Sequence, residues 1–91
     1  MEIEYSKPAI KFISAQDKPT KERIKVAIEG LTETPPKGDI KLMQGYTPES
    51  YRLRVGKYRI LYRYYTVKDK DGNNQCVLYI LDVGSRDDIY K

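Results

Sequence analysis

The segment Tyr51-Arg52-Leu53-Arg54-Val55-Gly56-Lys57-Tyr58-Arg59-Ile60-Leu61-Tyr62 alternates apolar and basic residues on both sides of Gly56-Lys57. Alternation with period two is strand patterning. A two-residue loop that opens with Gly marks a type II′ hairpin turn, whose first central residue needs φ > 0. Such a turn fixes the register: Val55 faces Tyr58, Arg54 faces Arg59, Leu53 faces Ile60 and Arg52 faces Leu61. Leu53 and Ile60 then share a face with Tyr58, Tyr62 and Tyr64, which reads as core. Arg52, Arg54 and Arg59 share the other. Like charges directly opposite one another destabilise a sheet, so this pairing implies an anion to be placed there. Arg59 is expected to contact that anion while burying little apolar area.

Charge is distributed accordingly. Lys plus Arg number 17 against 13 Asp plus Glu, a net charge of +4. Residues 51–70 alone hold seven Lys/Arg and one acid, Asp69. Base clustered on one face is the footprint of a polyanion binder; the plainer alternative is a solvated charged surface. The 91 residues are expected to form one small domain over 1–91 with a two-layer core. With no His and a single Cys, an internal disulfide and Cys-based zinc are excluded, and the commonest general base is missing. No metal and no cofactor are expected. Cys76, in the apolar run Cys76-Val77-Leu78-Tyr79-Ile80-Leu81, reads as a buried structural thiol. No apolar stretch reaches the length of a membrane span, and the N-terminus lacks a signal-peptide pattern, so a cytoplasmic protein is expected. Nine Tyr suit half-exposed strands and, in a groove, the stacking of RNA bases.

Along the chain, residues 2–5 read as a strand. Ser6 with Pro8 opens a helix whose apolar side carries Ile10, Phe12 and Ile13. Asp17 and Pro19 break it and start a second, in which Ile24, Ala27, Ile28 and Leu31 form an amphipathic stripe that stops near Gly30. Residues 32–45 read as irregular, with Pro35 and Pro36 against helix and with Leu42 and Met43 tucked onto the domain. Strands follow at about 51–56, 57–67 and 75–83, the last apolar on both faces and so central. The order is β-α-α-β-β-β: an α+β fold, with a helical hairpin packed on a small antiparallel-rich sheet.

The arginine hairpin, together with Asp82-Val83-Gly84-Ser85-Arg86-Asp87-Asp88-Ile89-Tyr90, resembles the core motifs of the RelE/ParE superfamily of bacterial toxins. The resemblance implies the toxin of a type II toxin–antitoxin pair. RelE-like members cut messenger RNA in the ribosomal decoding site, whereas ParE-like members share the fold and poison DNA gyrase. Carried over by position, the RelE-like site comprises Arg52 and Arg54 on the second strand of the motif, Arg59 on the third, Arg86 after the last strand and the terminal Tyr90. The resemblance also implies a cognate antitoxin, expected to be acidic and partly disordered. Arg replaces the Lys of the best-known RelE pattern at both 52 and 54, and the segment from Arg86 to Tyr90 is shorter.

The residue types suit metal-free RNA cleavage, in which the 2′-OH attacks the adjacent phosphorus. A guanidinium fork matches phosphate oxygens bidentately and can neutralise the developing charge. With a pKa above ~12, however, Arg is a poor base. Tyr90 is the better proton handler, if nearby cations lower its pKa from ~10. Arg59, Arg86, Tyr90 and Arg54 are the expected catalytic residues, and Arg52, Arg54 and Lys57 the RNA contacts. Each has a plainer reading: Arg52 and Arg54 as solvated strand residues, Arg86 as an ion-pair partner of Asp87 or Asp88, Tyr90 as packing, Lys57 as a turn residue. The expected function is a ribosome-dependent messenger RNA endonuclease; the alternatives are a gyrase inhibitor without chemistry and a superfamily member that has lost toxicity.

Overall fold

Both helices begin on one device: a capping oxygen, a lysine, then a proline. In the computed structural model, which describes residues 1–85, Ser6 precedes α1 (Lys7–Ser14), and its Oγ accepts a hydrogen bond from the Ala9 N–H at 3.2 Å. Asp17 precedes α2 (Lys18–Glu29), and its Oδ1 accepts from the Thr20 N–H at 3.0 Å. Pro8 and Pro19 sit in the first turns, where a missing N–H leaves nothing unpaired. α2 stops at Gly30, whose φ of −61° stays right-handed and leads into a 3-10 turn over Gly30–Thr32. The expected stripe faces inward: Ile24, Ile28 and Leu31 are at most 1% exposed. On α1 the inward residue is Ala9, with Phe12 and Ile13 packed against the core, while Ile10 points outward.

The helices cover one face of a five-stranded sheet formed by β1 (Glu2–Tyr5), β2 (Asp39–Met43), β3 (Ser50–Val55), β4 (Tyr58–Lys68) and β5 (Asn74–Ser85), in the order β1-β5-β4-β3-β2. β1 runs parallel to β5, and every other pairing is antiparallel. This is the expected α+β architecture with one strand added. The hairpin register is the one the turn dictates, with Arg54 opposite Arg59 and Leu53 opposite Ile60. Gly56 sits at φ +58°, and among the described residues no non-Gly residue, Lys57 included, has positive φ, which makes the turn type II′ rather than I′. A Cβ on Gly56 would also lie 2.7 Å from Nη2 of Arg23, whose guanidinium lies against the turn.

Ile10 thus departs from the apolar side expected for it, and further expectations fail. Residues 32–45 are not wholly irregular: Asp39–Met43 form the edge strand β2. The chain enters β2 through Gly38, at φ +126°, where a Cβ would meet Cδ1 of Leu53 on β3 at 2.5 Å. Leu42 is not tucked in but exposed. Cys76 is exposed as well. The β4–β5 ribbon overruns its neighbours, because β1 covers only Val77–Ile80 and β3 extends only to Tyr62. Cys76, opposite Thr66, therefore lies on the overhang.

Beneath the helices, Leu53, Ile60, Tyr62, Leu78 and Ile80 are at most 1% exposed. Tyr51 stacks on Tyr62 at 5.5 Å, Tyr62 meets Tyr64 edge-on at 5.7 Å, and the Tyr64 hydroxyl donates to the Leu31 carbonyl at 2.8 Å. A bulge re-phases β5. Leu61 pairs with Asp82 but Tyr62 pairs with Ile80, so Leu81 is the extra residue. Leu78 and Ile80 on one side of it and Val83 on the other thereby all reach the helix side. Ser6 bridges the bulge: its N–H donates to the Ile80 carbonyl at 2.9 Å and its Oγ to the Leu81 carbonyl at 2.7 Å.

Candidate nucleic-acid interface

The register arranges the helix-free face in rows across the sheet. Asp39, Arg54 and Arg59 stand side by side in the first row. Lys41, Arg52, Leu61 and Asp82 form the second. Arg63, Tyr79 and Glu4 follow in the third. The alternation of β3 and β4 thus delivers Arg52, Arg54 and Arg59 to one face, as the hairpin requires.

Their environments differ. The Arg54 side chain is 41% exposed and that of Arg52 only 12%. Arg59 is 4% exposed as a residue, which overturns the expectation that it buries little apolar area. The like-charge opposition of Arg54 and Arg59 is answered in part by the protein itself. Asp39, on the strand that the sequence did not reveal, places Oδ1 3.5 Å from Nη2 of Arg52 and Oδ2 3.9 Å from Nη1 of Arg54. The carboxylate is more than half exposed, so the pairs are weak and leave the face basic.

Lys57 is not with the arginines. Its Nζ lies 5.5 Å from the centroid of the Tyr58 ring, which packs edge-on against Phe12 on the helix side. Asp17 is held below the ordinary carboxylate range mainly by the hydrogen bond from Thr20, and Lys57 adds to that in small part. Arg86 and Tyr90 lie outside the described residues.

Five phenols of the described sheet are raised. Burial raises the phenols of Tyr62, Tyr64 and Tyr5, and the bond to Glu49 raises Tyr51. The Tyr65 hydroxyl donates to Glu4 and is pushed up to about 12 by that bond. Each shift moves away from neutrality, the wrong direction for a base. Among the described residues no group of three or more His, Cys, Asp or Glu comes together to hold a metal ion, and no helix is long and apolar enough to cross a membrane. Sequence reasoning missed two members of this face, Asp39 and Arg63. Arg63 was readable, because it continues the period-two series through Arg59 and Leu61.

The fold has a solved counterpart. The archaeal RelE–RelB complex from Pyrococcus horikoshii contains a chain that superposes with a TM-score of 0.65 at 24% identity, over 93% of each chain. No curated protein sequence matches. Residues 3–90 match the family described as ParE toxin of type II toxin-antitoxin system, parDE. With almost its whole length matched, the chain belongs to the ParE toxin family, within the RelE/ParE superfamily of toxins.

Proposed function

We propose that this toxin is a metal-independent endoribonuclease that cuts messenger RNA in the ribosomal decoding site and is neutralised by an acidic, partly disordered antitoxin. The observation that carries the reading is the cluster of Arg52, Arg54 and Arg59 on the sheet face that the helices leave free. In the reaction the 2′-oxygen bonds to phosphorus as the P–O5′ bond breaks, giving a 2′,3′-cyclic phosphate and a 5′-hydroxyl. One proton leaves the 2′-OH and one reaches O5′. Arg54 and Arg59 would bind the phosphoryl oxygens and stabilise their added charge, an effect of ~10²–10³ in rate per donor. Arg86 would add a further cation, and Tyr90 would move a proton. An antitoxin of opposite charge would fold as it binds and associate quickly at low salt.

Primer extension on RNA from cells expressing the chain tests the reading, with Tyr90→Phe as the mechanistic probe. We expect discrete cleavage sites, with single-turnover cleavage on ribosomes reduced ~10²–10⁴-fold in Tyr90→Phe. Intact messenger RNA in growth-arrested cells would refute it. The family match favours a second reading, in which the same basic face docks on DNA gyrase without chemistry. Loss of gyrase supercoiling on addition of the pure chain would establish that one instead.

A further inference from the structure

Among the described residues Arg63 is a cation without a counter-ion. Its Nε is buried and has no hydrogen-bond partner, and among the described residues Arg63 makes no ion pair. Burying an N–H of a charged group without a partner is costly, and such a group calls for an explanation. The nearest acid in its row does not supply one: Glu4 stands beyond Tyr79 and accepts from the Tyr65 hydroxyl. Asp39 is two strands away and is taken up by Arg52 and Arg54. Arg52 shares the condition in part, since its Nε is also buried and unpartnered. The register sets the two arginines diagonally across Leu61, with Arg52 opposite Leu61 and Arg63 two residues further along β4. Diagonal neighbours of this kind lie about 7–8 Å apart, within joint reach of one anion for side chains of this length.

We infer that Arg63 and Arg52 form a second phosphate subsite, which holds the backbone of single-stranded RNA beside the phosphate taken by Arg54 and Arg59. Arg63 lies four residues from Arg59, about 13 Å along the strand, so this subsite engages a different nucleotide. Tyr79, opposite Arg63 in the register and half-buried, offers a ring on which that nucleotide's base can stack. The inference rests on the nuclease reading but makes Arg63 a binding residue, not a catalytic one.

The test measures the affinity of the purified chain for a fluorescent single-stranded oligoribonucleotide over a salt series. The variants are Arg63→Gln, Arg63→Lys and, as a control on the ribbon overhang, Lys68→Gln. Arg63→Gln should weaken binding about tenfold and flatten the salt dependence by about 0.7 in log–log slope, one phosphate contact on a single strand. Arg63→Lys should restore most of the slope, Lys68→Gln should leave affinity nearly unchanged, and thermal melts should show all three folded. Equal losses in Arg63→Gln and Lys68→Gln would overturn the subsite, since any lost charge would then serve. Binding that Arg59→Gln destroys but Arg63→Gln leaves intact would overturn the subsite alone. Failure of the wild-type chain to bind the free oligoribonucleotide would overturn the subsite, while the nuclease reading, which places the RNA on the ribosome, stands or falls by primer extension.

Discussion

On β4, alternate residues live in two different solvents. Tyr58, Ile60 and Tyr62 face the helices, and Tyr64 extends the same ring cluster. Arg59, Leu61, Arg63 and Tyr65 face the other way, among arginines and a few carboxylates. The first set is held by apolar burial, the second by charge that the protein only partly balances. The difference teaches where stability and function reside in this sheet. The helix side can be altered only at the expense of folding, whereas the helix-free side can be altered with most of the fold left in place, Arg59 excepted.

The sharpest way to break the comparison is one substitution on each side. Ile60→Ala should cost about 2–5 kcal/mol, the usual range for emptying a buried aliphatic site. Arg54→Gln, one strand position from Leu53's row and so on the other face, should change stability by no more than about 0.5 kcal/mol while reducing RNA cleavage ~10²-fold. Urea unfolding of both variants decides it: similar losses would mean that the arginine face is part of the core.

A smaller effect sharpens the boundary between helix and sheet. Ser6→Ala removes the cap of α1 and the hydroxyl bond to the Leu81 carbonyl together. We expect a loss of about 1–2 kcal/mol, with Ser6→Thr recovering most of it. Smaller again is the effect of Asp39→Asn. Releasing Arg52 and Arg54 from a surface carboxylate should lower stability by less than about 1 kcal/mol and raise RNA affinity a fewfold. Unchanged affinity would mean that Asp39 does not compete with phosphate.

The slightest effect is on the alkaline side. The phenol of Tyr65 is raised from 10.0 to about 12 by its bond to Glu4. A folded-state pKa above the unfolded value means a contribution that is complete below pH 10 and lost as pH rises toward 12. Tyr65→Phe should therefore unfold with a weaker pH dependence across that window, and an identical profile would show that the bond does not matter to folding.

Much of this was readable from residues alone. Gly56-Lys57 set the hairpin because one turn type suits a leading glycine, and every pairing from Arg52 to Tyr62 follows from that register. Ser6 and Asp17 were legible as caps because a short oxygen-bearing side chain before a first-turn proline has few other uses. The edge strand was not legible. Asp39-Ile40-Lys41-Leu42-Met43 follows two prolines, exposes three of its five residues and takes its pairing from β3, not from any strong pattern of its own. With it went the sight of Asp39 as a local counter-ion. Cys76 misled because an apolar run looks buried wherever it falls, and only the unequal strand lengths show that the run extends past its cover.

The bonds from Ser6 to β5 span 75 residues of chain. β1 is parallel to β5, so among the described residues the earliest strand takes its pairing from the latest. Contacts of such separation are slow to form, because the loop must close before any of them is gained. During synthesis, then, the hairpin of β3 and β4 is complete while the N-terminal strand still waits for its partner. A nascent chain of this toxin would carry its arginines on an unfinished sheet until β1 and β5 meet.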